Sequence, residues 1–343
     1  GLEEARLSAE GMLLGFPGAD GVLADLGGGS LELVRLDDGG IGHCASLPLG
    51  SLRLSDRAGG DVVRARAIAE EELARQKWLR EGEGRDLYLV GGAFRALARM
   101  HIAQTGYPLA IVHHYVLRRE EARDLSSVVL AASRRVLERM PGAPQKRLAD
   151  LPFAAVVLRR LLRVTGAARV VFSANGLREG WYARLLDPAE RALDPLLAAA
   201  REVAYRWGRD AGLPQALLAW TDPLFPGEEP RHRGLREAAC WVSDSGSHDH
   251  PEYRAEQVFL RVLRQHGVGL DHHARAFLAL TAALRYEAGP DAPCLAPTRV
   301  LLDVPTIRRA EALGAGVRVA STQWGRAHVG TARLSRASLR APL

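Results

Sequence analysis

Gly21-Val22-Leu23-Ala24-Asp25-Leu26-Gly27-Gly28-Gly29-Ser30-Leu31-Glu32-Leu33-Val34-Arg35-Leu36 is the stretch whose reading decides the fold class. Two runs of mostly apolar residues flank a triple-glycine turn, the pattern of a strand, a tight turn and a returning strand. Asp37-Asp38-Gly39-Gly40 adds a second turn, because Asp-Gly steps between such runs are hairpin signals, and residues 42–48 add a third strand. An antiparallel meander is therefore expected between Gly21 and Leu49. It carries chemistry as well as shape. Asp25 ends the first strand, Glu32 lies on the returning one, and the glycines with Ser30 can present backbone N–H groups to a phosphate. In isolation the same turn is equally an ordinary tight hairpin, so its surroundings have to decide.

Downstream, helical spacing covers residues 62–81 and a short apolar strand covers Asp86–Val90. Gly91 and Gly92 then lead into a helix from Phe94 to His101. Strand, glycine turn and helix in this order aim a helix N-terminus at any anion in front of it, although glycine pairs also serve plain packing. Helices are expected over 120–138 and 148–165, with a strand over 168–172. Ser173-Ala174-Asn175-Gly176 follows as another turn into a helix, where Ser173 and Asn175 suit capping and Glu179 suits a first turn. This alternation makes one α/β domain ending near residue 186. From Asp187-Pro188 to Gly289 the pattern becomes helices joined by Pro/Gly-rich loops. A helix over 305–313 and a β-like run over 317–321 close the chain, so a small C-terminal β element is expected.

The 343 residues, 47% hydrophobic and 25% charged, suit a globular protein of two or three domains. No apolar run approaches the ~18 residues of a membrane span, and no secretory signal is visible, so no membrane partner and a cytoplasmic location are expected. Cys44, Cys240 and Cys294 are odd in number and far apart, which argues against a disulfide framework or a zinc site. The net charge of +6 comes almost entirely from arginine, with lysine only at Lys77 and Lys146. Forked guanidinium contacts suit a phosphate-rich partner, but arginine-favouring codons explain the same bias. Charge alone does not choose among polyphosphate, nucleotide and nucleic acid.

Taken together, Asp25–Glu32, Leu87–Ala98 and Phe172–Gly180 resemble the exopolyphosphatase/guanosine pentaphosphate phosphatase family. The resemblance includes Glu3-Glu4-Ala5-Arg6-Leu7, Ser46–Leu54 and Tyr107–Tyr115, and extends through Ala238–Gly246 and His250–Arg254. It implies a ribonuclease H-like, actin-like α/β fold followed by an all-α HD-like domain. Residues 1–17 would then be the remnant of a first actin-like lobe, 18–186 the second, and 187–343 the helical domain. The implied activity is Mg²⁺-dependent hydrolysis of terminal phosphoanhydride bonds in polyphosphate or guanosine pentaphosphate, rather than nucleic-acid binding. Glu4 matches the position that activates water, with Glu3 as second choice. Asp25 and Glu32 match the metal positions, Gly27, Gly28, Gly29 and Ser30 the phosphate cradle, and Gly91, Gly92 and Arg95 a second phosphate contact. A homodimer is compatible with the resemblance.

The chain departs from the family in three ways. The family's first lobe, with its own phosphate loop, is not in this sequence, so the chain as given is expected to fall short of full activity. Leu31 and Ala93-Phe94 stand where loop hydroxyls are common. The His-Asp metal pair of true HD hydrolases is here Ser243-Asp244, which argues against a metal there. His248, His250, His272 and His273 read as solvated or capping residues, and Arg231, Arg233, Arg236 and Arg254 as solvated surface or a guide for polyphosphate. Two other readings stay open: a kinase of the actin-like superfamily, and a binding protein that recognises alarmone or polyphosphate without turnover.

Overall fold

The computed structural model describes residues 1–338 except residue 290, with side chains described as far as residue 323. Two units are present, Gly1–Ala192 and Leu193–Leu343.

The first unit is built on one six-stranded mixed sheet, β1 Gly21–Leu26, β2 Leu31–Asp37, β3 Gly40–Leu47, β4 Asp86–Val90, β5 Tyr115–Arg118 and β6 Arg169–Phe172, in the order β3-β2-β1-β4-β6-β5. The meander β1–β3 is antiparallel, β1, β4 and β6 run parallel, and β5 pairs antiparallel to β6. This is the expected ribonuclease H-like, actin-like topology.

Period-two alternation sorts the two faces of the sheet. Val22, Ala24, Leu26, Leu31, Leu33, Leu87, Leu89, Val170 and Phe172 face the larger core. That core is covered by α2 Ser51–Ala58, α3 Val62–Ala74, α4 Gly92–Thr105, α5 Arg119–Ala131 and α7 Leu151–Thr165, with the short α6 Arg134–Arg139 at its margin. Leu23, Val34, Leu36, Tyr88, Val90 and Val171 face the other way, onto Ala5, Ala9 and Met12 of α1 Leu2–Leu13. Burying each such Leu or Val fully is worth ~1.5–3 kcal/mol. Asp25 and Glu32 fall on the α1 face by the same alternation.

α1 crosses α8 Leu177–Ala183 at very close range. A Cβ on Gly11 would sit 2.0 Å from the Gly176 carbonyl oxygen, and one on Gly180 would sit 1.8 Å from that of Leu7. Arg184 ties the pair further, bonding both Glu3 and Glu10 of α1. A short helix, α9 Pro188–Arg191, follows.

Three local expectations change. The helix expected over 120–138 is broken at Ala132, and Ser133 caps the new start by accepting from the Val136 N–H. β5 is a four-residue edge strand with alternating burial, too short to register as a period in sequence. The C-terminal β element is absent among the described residues, because residues 317–321 lie inside α16 Val304–Ser338. Ala310, Leu313, Val317 and Ala320 are its buried hydrophobic positions among the described residues, spaced by three and four, which is the period of a helix face.

The second unit is helical throughout its described residues. It comprises α10 Pro195–Trp207, α11 Leu213–Thr221, α12 Pro230–Val242, α13 Arg254–Arg264, α14 His272–Arg285, α15 Ala296–Leu301 and α16. α14 is its central element, buried on nearly every side. No helix among the described residues is long and apolar enough to cross a membrane.

Candidate active site

The parallel strands β1, β4 and β6 end on one edge of the first unit, and the loops that follow them carry most of the expected site residues. Asp25 and Glu32 are register partners across β1 and β2, so their carboxylates leave the same face side by side. Ser8 of α1 donates to Asp25 Oδ2 at 2.6 Å, and Ser46 of β3 donates to Glu32 Oε1 at 2.9 Å. Burial raises the Asp25 pKa; the Ser8 bond offsets part of this, Glu32 and Glu4 add to the rise, and Arg95 opposes it. Among the described residues no cation lies within ion-pair distance of Asp25 or Glu32.

Glu3 and Glu4 separate. Glu3 is bound to Arg184 on the α8 side, whereas Glu4 lies close enough to Asp25 to affect its charge. Glu4 and Ser8 are one helical turn apart on α1, and that spacing puts both on the sheet-facing side near Asp25. Ser8 is a contact that sequence reasoning missed. The four-residue step from Glu4 is the signal that points to it.

The turn Gly27–Ser30 is held from behind. The Gly27 carbonyl accepts from the Ser51 N–H, and the Gly28 carbonyl accepts from those of Leu52 and Arg53 at the start of α2. Gly50 packs so tightly under the turn that a Cβ there would lie 2.3 Å from the Ser30 nitrogen. Gly28 and Gly29 stay exposed, and their amides find no backbone acceptor among the described residues. None of Gly27, Gly28 and Gly29 has positive φ. A Cβ on Gly29 would meet nothing within 4 Å, and one on Gly27 would make only a 3.5 Å contact. A Cβ on Gly28 would press on the Leu52 side chain at 3.1 Å, whereas the backbone shape does not demand glycine at 27 or 29, and the space above those two is open.

The second loop differs. Gly91 has φ +108°, and a Cβ there would lie 2.3 Å from the Leu26 carbonyl oxygen, so the close approach of β4 to β1 requires glycine. The space over Gly92 is filled by the Arg147 guanidinium, whose carbon lies 2.6 Å from where a Cβ would be. Arg95 donates to the Ala174 carbonyl at 2.8 Å, tying α4 to the loop after β6. Burial lowers the Arg95 pKa, and the neighbouring positive charges of Arg99 and Arg147 lower it further. Arg147 is a second residue missed in sequence, since it ends a short 3₁₀ helix, Gln145–Arg147, far along the chain from the glycine motifs. Asn175 is mostly buried, and its Nδ2 has no partner among the described residues. Next to it, a Cβ on Gly176 would touch Val90, Ser8 and Asp25.

The two hydroxyl-losing departures fall in packing. Leu31, Ala93 and Phe94 are all buried in the larger core, and Leu31 faces away from Asp25 and Glu32.

In the helical unit Asp244 is buried and already neutralised. It accepts from the Arg209 backbone N–H and guanidinium, and from Arg285 at 2.9 Å. Burial alone would raise its pKa, but these two arginines bring it below the usual value. Arg236, read in sequence as surface, is instead fully buried, bonded to Asp222, Glu228 and Thr221. His272 is buried rather than solvated. Among the described residues no group of three or more His, Cys, Asp or Glu side chains is arranged to hold a metal.

The Ppx/GppA phosphatase family model matches residues 1–189, which span the sheet and all of these loops. The chain belongs to that family. The exopolyphosphatase C-terminal model matches residues 196–325. Among curated proteins, Retrograde regulation protein 2 of Saccharomyces cerevisiae is 27% identical over 59% of this chain and 38% of its own length. An uncharacterized protein of Streptomyces coelicolor is 30% identical over 50% of this chain and 57% of its own. The chain thus spans well under two thirds of either relative. Two solved Ppx/GppA structures are similar. An exopolyphosphatase from Cytophaga hutchinsonii is 24% identical over 53% of this chain and 62% of that one, with a TM-score of 0.47. The Aquifex aeolicus Ppx/GppA phosphatase is 20% identical over 52% and 62%, with a TM-score of 0.45.

Proposed function

We propose that the protein to which this chain belongs hydrolyses the terminal phosphoanhydride bond of inorganic polyphosphate or guanosine pentaphosphate. The carrying observation is the Gly27–Ser30 turn, in which the fold requires neither Gly27 nor Gly29, set beside an Asp25 that has no cation within ion-pair distance among the described residues. Such a turn accepts a terminal phosphate on its exposed amides, where Arg95 and Arg147 add positive charge. In this reading Glu4, one helical turn from Ser8, takes a proton from water attacking in line with the leaving phosphate.

Asp25 and Glu32 suit Mg²⁺, an ion commonly held by one or two carboxylates with substrate phosphate and water completing its shell. Two adjacent carboxylates, one with its pKa pushed up by burial and by its acidic neighbour Glu32, fit that donor set. When bound, the ion would neutralise charge on the transferred phosphoryl oxygens.

The test is phosphate release by the full-length protein with Mg²⁺, comparing long-chain polyphosphate and guanosine pentaphosphate at equal concentrations of scissile ends. Release from either supports hydrolysis and names the preferred substrate. A second reading, recognition without turnover, draws on the yeast relative, whose name is that of a regulator. Tight binding of both compounds with no release would select it.

A further inference from the structure

The first unit has a second cavity, of about 490 Å³, at the opposite end of the sheet. The segment 77–82 forms one wall and packs at the start of β1, since a Cβ on Gly82 would touch Val22 and Thr165. α3 and α7 supply the other walls through their last turns: Glu70 and Leu73 on one, Arg160, Arg163 and Val164 on the other. α7 has 15 residues, so it is about 22 Å long. Its start follows Arg147 at the active-site edge and its end carries Arg160 and Arg163, so the two places are well separated.

The lining is strongly cationic. Lys77, Arg80, Arg160 and Arg163 face a single acid, Glu70. Both oxygens of Glu70 are engaged, one with Arg160 at 3.1 Å and the other with Arg163 at 3.2 Å. Lys77 and Arg80 make no ion pair among the described residues. Basic residues near helix C-termini are stabilising in their own right, which accounts for Arg163. That explanation does not reach Arg160, which is nine-tenths buried and draws on one shared carboxylate. Its burial, more than any neighbour, lowers its pKa. A guanidinium has five N–H donors, and a single hydrogen bond is recorded for this one. Leu73, Ala74 and Val164 give the same cavity an apolar side.

We propose that this cavity binds a nucleoside polyphosphate, with phosphates on Lys77, Arg80 and Arg160 and the nucleoside against Ala74 and Val164. The volume lies within the usual range for small-molecule sites, and four cations against one acid suit a polyanion. It is a site separate from the glycine turn and stands whether or not that turn supports hydrolysis.

The experiment is isothermal titration of the full chain with ATP in metal-free buffer. Four proteins are compared: the unmodified chain, Lys77→Ala/Arg80→Ala, Gly29→Val in the active-site turn, and all three substitutions together. Lys77 and Arg80 are exposed, so their removal should leave the melting temperature unchanged. ATP should bind the Gly29→Val protein as it binds this cavity in the unmodified one, and at least tenfold more weakly when Lys77 and Arg80 are removed in the Gly29→Val background. Adenosine should not bind there, and tripolyphosphate should bind more weakly than ATP. Unchanged affinity without the two cations, loss of all binding in Gly29→Val, or tripolyphosphate binding as tightly as ATP would each overturn the assignment.

Discussion

Asp25 in the sheet unit and Asp244 in the helical unit are both enclosed aspartates, yet their surroundings are opposite. Asp244 is clamped by Arg209 and Arg285, and its pKa falls. Asp25 has no such clamp, and burial, added to by the charges of Glu32 and Glu4 and only partly offset by Ser8 and Arg95, raises its pKa. A carboxylate that the protein has already neutralised is structural; one held in place without a counter-charge is set up for something that arrives from outside. The difference separates the helical unit, where Asp244 is an internal ion pair, from the sheet edge, where Asp25 has no cation within ion-pair distance among the described residues.

The strongest way to break this comparison is at Glu4, the third acid of the Asp25 group. In the full-length protein Glu4→Gln should lower phosphate release by about 10²-fold or more while leaving substrate binding intact, as expected for loss of a general base. Unchanged turnover would remove Glu4 from the reaction.

At the other aspartate, Asp244→Ala would strand the buried Arg285 and cost about 3–5 kcal/mol in urea unfolding of the helical unit, the usual penalty for removing half of a buried pair. A loss below 1 kcal/mol would mean that water replaces the carboxylate there.

The glycines sharpen the contrast further. Gly91→Ala should cost about 1–3 kcal/mol, because φ +108° and the nearby Leu26 carbonyl leave no place for a methyl group. Gly29→Ala should leave the melting temperature unchanged and weaken phosphate binding. Equal destabilisation by both would make the first turn a purely structural device.

The smallest effect concerns Asp25 itself. With its folded pKa above the unfolded value, its contribution to stability is fully present below the unfolded pKa and is lost as pH rises through the folded one. Asp25→Asn removes that loss, so in metal-free buffer at neutral pH the variant should melt higher than the parent. The difference should vanish below about pH 4, near the ordinary aspartate value. A lower melting temperature at neutral pH would mean that Asp25 is stabilised by a partner.

Much of the sheet was legible because strand alternation and glycine turns are local signals: β1, β2 and β4 fall where the residue pattern puts them. β5 was not, since four residues carry too short a period. The β-like run over 317–321 misled because Val317 and Val319 favour strands locally, while Ala310, Leu313, Val317 and Ala320 together make a buried helical face. At the site, Asp25, Gly27–Ser30 and Glu32 stood out as one continuous motif. Ser8 and Arg147 did not, because each reaches the motif from a separate element.

The sequence by itself determined that a glycine turn flanked by two acids sits between antiparallel strands, since turn chemistry and alternation depend only on neighbouring residues. Tertiary structure decided which acids stay uncompensated. Glu3 is claimed by Arg184, Glu4 by the Gly1 ammonium and Asp244 by Arg209 and Arg285, whereas Asp25 and Glu32 share one sheet edge with no cation within ion-pair distance among the described residues. Charge acts through space over a few ångströms, and only the packing of α1 against the sheet, and of α8 against α1, fixes which charges come that close.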